Sequence, residues 1–350
     1  MGSKISIPED GGMAIFDFSS DFINSTDKMN LSRHVVSLQF GTDLSNFGKT
    51  NEWSRYDRDN GLISGMPNLT ELDMSNRHIG SLSINNCRSL SNIDCSNSTI
   101  DWILPVNSMY DDCSSTFRYP NINTDSININ LENTNILGYS HYGVSSTNMT
   151  DHALVGIYSS ESSGVNPTED LKLSINMNNC NWYPYPGYNY SANTGSTYPE
   201  VNQRNILFLS GWRSRISELY VKLPNFLSQN DQYSEDLTTL FAVSSTTTLA
   251  KKITIEAPDS GYAIPLSLYK YATDDNSVVG YISGISIYMI GKFNVPTGGY
   301  ILRIYDYEDD YGDYMTCNGT IYYDNTSTKT LLQNAINDDV IYGTWKLVKI

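Results

Sequence analysis

One internal repeat constrains this chain more than any other feature: residues 68–88 and 89–109 align almost position for position at a period of 21. Leu69, Leu72, Met74, Asn76, Ile79, Leu82 and Ile84 of the first unit are followed by Leu90, Ile93, Cys95, Asn97, Ile100 and Ile103 of the second, each at its equivalent offset. A unit this short cannot bury its apolar side alone, so it must stack on copies of itself and share one continuous core. The alternation Leu72-x-Met74 and Ile93-x-Cys95 is that of a short strand with one face turned inward. Ile79 and Ile100 then bring the chain back over the same core. Asn76 and Asn97 recur in the bend, where backbone groups lack a sheet partner, and a structural role in satisfying those groups is expected of them.

The runs from Leu69 to Asn76 (LTELDMSN) and from Leu90 to Asn97 (LSNIDCSN) resemble bacterial leucine-rich-repeat proteins of the 21-to-22-residue, internalin-like type. Residues 82–87 resemble the returning half of that repeat, and the likeness covers about forty residues in all. The resemblance implies an irregular solenoid that offers an extended sheet to partners. Weaker copies follow at Ile129, Leu131, Asn133 and Ile136 and again at Ile175, Met177, Asn179 and Trp182, with further strand candidates at 35–40, 216–221 and 253–255. The expected solenoid therefore spans residues 31–257, behind an N-terminal arm or cap at 1–30. The same period-two pattern also fits the strands of an ordinary sandwich.

Between these candidates lie polar segments at 110–124, 138–168 and 181–202, read as long insertions. The last gathers Trp182, Tyr183, Tyr185, Tyr188 and Tyr190 beside stiffening prolines. Aromatic rings so displayed suit sugar stacking or a protein interface, or else pack on the protein's own body. From residue 262 to 350 strand candidates recur every 8–15 residues, at 281–293, 299–307, 320–323 and 344–350, and predict an antiparallel β-sandwich or jelly roll. The overall expectation is a mainly β chain, solenoid first and sandwich second.

Two places could carry binding chemistry. Asp306, Glu308, Asp310 and Asp313 make the densest set of oxygen ligands, which calcium would suit; the alternative is a solvated acidic hairpin tip. On the repeat, the residues between inward positions (Glu71, Asp73 and Ser75; Asn92, Asp94 and Ser96; Asn128, Asn130 and Glu132) should form a polar ladder, with Asp73 and Asp94 as candidate binding residues. No other cofactor is expected. Five cysteines without a CxxC pair indicate buried thiols rather than disulfides or zinc. Four histidines without ligand spacing, and no nucleophile elbow, P-loop or dinucleotide fingerprint, argue against an enzyme of those classes.

The net charge of −16 disfavours nucleic-acid binding, and no apolar run approaches the roughly 20 residues that span a membrane. The opening MGSKISIPED lacks the apolar segment of a signal peptide, so export by that route is not expected. Together with few lysines and many Asn, Tyr and Ser, this is similar in style to virion proteins of phages that infect gut bacteria: tail, fibre or head-decoration components. That likeness implies a non-enzymatic recognition or structural protein of the virion, homo-oligomeric as such proteins often are, that contacts other virion proteins or a host surface protein or glycan. A leucine-rich-repeat adhesin on a bacterial cell surface and a particle-associated glycan-cleaving enzyme are the alternatives.

Overall fold

The computed structural model describes residues 3–6, 16–17, 35–39, 43–44, 62–64, 66–85, 87, 89–103, 115–119, 124–136, 153–158, 171–182, 204–210, 216–226, 238–244, 250–263, 266–271, 282–304 and 317–350. Strands dominate them, as expected, and one helix accompanies the strands.

The longest run of strands in chain order forms one sheet: Ser3–Ser6, Val35–Gln39, Glu71–Asp73, Asn92–Asp94, Ser126–Asn130, Leu171–Asn176, Ile216–Lys222, Lys252–Glu256, Ile285–Ile290, Asn318–Tyr323 and Thr344–Lys349. The strands of this sheet lie side by side in chain order, and every pair is parallel. Parallel pairing needs a crossover between strands, and here a second parallel sheet supplies it. His78–Asn85, Ser115–Tyr119, Ala153–Tyr158, Arg204–Ser210, Thr238–Ser244, Leu266–Tyr271 and Leu302–Arg303 line up there, with Thr99–Ile103, Asn135–Ile136 and Asn181–Trp182 continuing from His78–Asn85 on its other side. The chain thus passes from the first sheet to the second and back.

The core is a set of columns. Leu72, Ile93, Ile129, Ile175, Val221, Ile255, Met289 and Tyr323 are paired one to the next and all are buried. A second backbone ladder continues past the strand ends, where Met74, Cys95, Leu131, Met177, Leu223 and Ala257 each donate an N–H to the following circuit at 2.7–3.0 Å. Both run through residue 257 without a break.

That continuity corrects the expected C-terminal sandwich. Strands at 285–290, 318–323 and 344–349 exist where the pattern put them, but they pair parallel and extend the first sheet instead of folding back as antiparallel hairpins. The alternation of apolar and polar residues has the same period in either arrangement, so it carries no information on strand direction. Spacing does: Glu218 and Lys252, and Gly284 and Asn318, face each other across 34 residues, a crossover length and not a hairpin. Ser115–Tyr119 and Ala153–Tyr158 likewise lie within segments read as insertions, yet are strands of the second sheet.

The helix α1 (Thr326–Asn337) was not expected. Asn325 caps it, accepting from the Thr328 N–H at 2.9 Å, while its own amide donates to the Gly291 carbonyl of the preceding circuit. Leu332 and Ala335 are buried in the common core with Leu331 and Ile336 packed beside them, so α1 stands where earlier circuits place a return strand.

Candidate functional site: the outer face of the first sheet

Side chains at alternate positions of the first sheet point away from the core. Register aligns them into columns running across the strands: Glu71, Asn92, Asn128, Ser174, Tyr220, Thr254, Tyr288 and Tyr322 in one, Asp73, Asp94, Asn130, Asn176, Lys222 and Glu256 in the next. The expected polar ladder is therefore present in register, and it continues well past Asn130.

Between residues 71 and 182 the ladder is built from a repeated turn. An Asp or Asn ends each strand, and its side-chain oxygen accepts the backbone N–H two residues on: Asp73 from Ser75 at 3.0 Å, Asp94 from Ser96 at 2.9 Å, Asn130 from Glu132 at 3.2 Å and Asn176 from Asn178 at 3.1 Å. One residue later comes an asparagine at positive φ: Asn76 at 56°, Asn97 at 55°, Asn133 at 56° and Asn179 at 52°. Asparagine tolerates this left-handed region better than residues with a bulkier Cβ substituent, which explains the recurrence. The N–H groups of these asparagines need no side-chain acceptor, because Asn76, Asn97 and Asn133 donate theirs to carbonyls of the following circuit at 2.8–3.0 Å. The expectation that these asparagines satisfy the bend is corrected accordingly: the residues ending the strands do that work. Ser98 and Thr134, buried just after the bend, are satisfied through the carbonyls of Met74 and Cys95.

The amides bond to one another along the columns. Asn128 donates to Asn92 at 3.2 Å, Asn130 to Asp94 at 3.1 Å, Asn176 to Asn130 at 3.2 Å, Asn133 to Asn97 at 3.0 Å, Asn179 to Asn133 at 3.2 Å and Asn181 to Asn135 at 2.7 Å. Every one of these runs from a later circuit to an earlier one.

From residue 216 onward the face changes to charge and aromatic rings. Lys252 donates to Glu218 at 2.6 Å, with Lys172 on the carboxylate's other oxygen at 3.5 Å. The Lys252 hydrogen bond, aided by both ammonium charges, holds the Glu218 carboxyl below its ordinary value, and Glu218 in turn raises Lys252. Lys222 sits between Asp259 at 2.8 Å and Glu256 at 3.4 Å. Its partial burial disfavours the ammonium, yet the Asp259 bond and both carboxylates outweigh that and raise it. Partial burial pushes the Tyr220 hydroxyl up, as does its donation to Glu256 at 2.7 Å. Tyr288 and Tyr322 stack with centroids 4.5 Å apart and planes 9° from parallel.

Asp73 and Asp94, singled out from the sequence, belong to the turns just described; each spends Oδ1 on its own bend. Cys95, which follows Asp94, is buried, and burial followed by the charges of Asp94 and Asp73 pushes its thiol up, which disfavours the reactive thiolate. Trp182 lies at the end of the Asn181–Trp182 strand, paired with Ile136. Tyr183, Tyr185, Tyr188 and Tyr190, and the acidic set Asp306, Glu308, Asp310 and Asp313, lie outside the described residues. Among the described residues no group of three or more His, Cys, Asp or Glu side chains is arranged to hold a metal ion, and no helix is long and apolar enough to cross a membrane.

Sequence reading placed Asn179 at the bend of a repeat copy and 216–221 in a strand, but missed Asn176, Lys222, Glu218 and Tyr220 as members of this face. The signal was available for Asn176, which repeats the offset of Asp73; the others appear only once register is known. No protein-family model, curated protein or solved structure matches the chain.

Proposed function

We propose that this chain is an irregular leucine-rich-repeat-type solenoid and that it serves as a non-enzymatic recognition and structural element at a particle or cell surface, in the first instance as a component of a phage virion. The observation that carries this reading is the outer face of the first sheet. Its side chains are locked to one another from circuit to circuit, by amide bonds in one half and by ion pairs and stacked rings in the other. A face held this way is presented rigidly over many strands at one strand spacing, about 4.8 Å, which suits a display or scaffold role and gives a partner an ordered array to meet.

The electrostatics point the same way. The carboxylates and ammonium groups of the face that depart from their ordinary values do so toward the charged form, which suits ion pairing and not proton transfer near neutral pH. The high negative charge keeps such a protein soluble and away from nucleic acid. A mass-spectrometric inventory of particles and cell envelopes from the source culture tests the proposal. A defined copy number in particles is the expected result; absence from particles with recovery on envelopes replaces the virion role with that of a bacterial surface adhesin.

A further inference from the structure

The amide ladders have donors to spare, and their arrangement is specific to one part of the molecule. An asparagine side chain carries two N–H donors and one carbonyl oxygen. In the column from Asn92 to Asn128, and in that from Asn97 through Asn133 to Asn179, the ladder bond uses one N–H of each donating amide. Among the described residues the second N–H of Asn128, Asn133 and Asn179 meets no acceptor, and Asn92, Asn97, Asn128 and Asn133 are exposed. The one-way direction of the ladder bonds leaves these spare donors repeating at each circuit, at the strand spacing of about 4.8 Å.

We infer that these two asparagine columns bind a neutral, hydroxyl-rich linear polymer, a polysaccharide laid across the strands. This deepens the recognition reading above and rests on it. Hydroxyl groups both donate and accept, so a sugar chain can take the spare N–H groups while donating to the open carbonyl oxygen of Asn128. Three features narrow the ligand to this class. A polyanion would meet Glu71, Asp73, Asp94 and Glu132 beside the amides and a net charge of −16. An apolar partner would find no hydrophobic patch, since the one large exposed hydrophobic side chain among the described residues is Ile350, at the other end of the sheet. A basic peptide would need carboxylates, and three of the four beside the amides, Asp73, Asp94 and Glu132, already commit an oxygen to a turn or an amide, leaving Glu71. The tyrosines of the other half are less suited to sugar, because Tyr288 and Tyr322 turn a ring face toward each other instead of outward.

The test is affinity electrophoresis of the full chain in native gels cast with laminarin, mannan or dextran as neutral polymers and with alginate as the anionic one, and, separately, titration with poly-lysine. The variant Asn97→Gly/Asn133→Gly/Asn179→Gly removes the corner amides while keeping a residue that accepts positive φ, and Asn128→Ala removes the strand-face amide. A circular-dichroism spectrum and melting curve establish that each variant is folded. Retardation by at least one neutral polymer, weakened about tenfold or more in either folded variant and absent with alginate, is the expected result. No retardation by any of the neutral polymers, or retardation unchanged in both variants, overturns it. Binding to poly-lysine alone also overturns it and makes the partner a basic protein. The particle inventory is independent of all these outcomes, so a failed sugar assay leaves the surface role standing or falling by itself.

Discussion

The circuits before residue 182 and those after residue 216 share one core and solve the same bend differently. In the first group the strand ends in Asp or Asn, which accepts the N–H two residues on. In the second the equivalent positions are Lys222 and Glu256, and the residues two further on are Pro224 and Pro258. Proline has no N–H to donate, so an acceptor at the strand end would have nothing to hold, and the position is released for other use. Lys222 and Glu256 spend it on the outer face, with Asp259 reaching back across 81 residues to exchange hydrogen bonds with Asn178 at 2.9 and 3.1 Å. In these circuits the bend's chemistry thus decides what the strand end can display: Asp or Asn where a side chain must hold the turn, Lys222 and Glu256 where proline follows.

The comparison breaks most readily at the core, which is supposed to be common. Ile129→Ala and Ile255→Ala remove buried side chains from the same column on either side of the change. Each is expected to cost about 3 kcal/mol in urea unfolding, within the usual range for such truncations. A large cost for one and almost none for the other would mean that the halves do not share a core.

The next largest effect belongs to the left-handed asparagines. Asn133→Ala forces an alanine to hold φ near 56° and loses the ladder bonds to Asn97 and Asn179, so it should cost about 1–2 kcal/mol. Asn133→Gly keeps the backbone geometry and should cost less than the alanine variant. If alanine and glycine are equal in thermal melts, the conformational argument fails and the ladder bonds alone account for asparagine here.

Smaller still is the effect of exchanging one bend's chemistry for the other. Pro224→Ala should cost about 0.5–1 kcal/mol through the unfolded chain, and it restores an N–H. Lys222→Asn supplies the matching acceptor, at the expense of the ion pairs with Asp259 and Glu256. The double variant is therefore expected to lose less than the two single losses combined, by about 0.5–1 kcal/mol in a double-mutant cycle. Strict additivity would show that the two bends are not interchangeable solutions.

The smallest expected effect is the pH dependence of the exposed Glu218–Lys252 pair. Glu218 is held below its ordinary value of 4.5, so its contribution is present above that pH and lost as pH falls through the lowered folded value. Lys252 is raised above 10.5, so its contribution is present below that pH and lost as pH rises through the raised folded value. Both groups are well exposed, and solvent screening limits the pair to a few tenths of a kcal/mol. Glu218→Gln should flatten the acid limb of thermal stability by that amount, and Asn128→Ala should leave that limb untouched.

How much of this was legible beforehand depends on whether a feature repeats in sequence. The strand positions, the inward column and the bend asparagines were readable from residues 68–109, because each is a local offset that recurs. Strand direction beyond residue 262 was not, since alternation is blind to it. The helix was hidden for a different reason: one cap at Asn325 and four apolar residues do not outweigh a chain patterned for strands, and what holds α1 is its burial against the core together with the Asn325 contact to Gly291.

By itself, then, the sequence determined which residues face the core and where the chain must bend, because side-chain volume and backbone preference act locally. Only the tertiary structure decided which outward residues become neighbours. Asn130 meets Asn176 across 46 residues, Glu218 meets Lys252 across 34 and Asn178 meets Asp259 across 81. Those distances along the chain are set by connections of unequal length, while parallel hydrogen bonding forces every circuit back into the same register whatever its length. The fixed register turns scattered asparagines, charges and tyrosines into ordered columns.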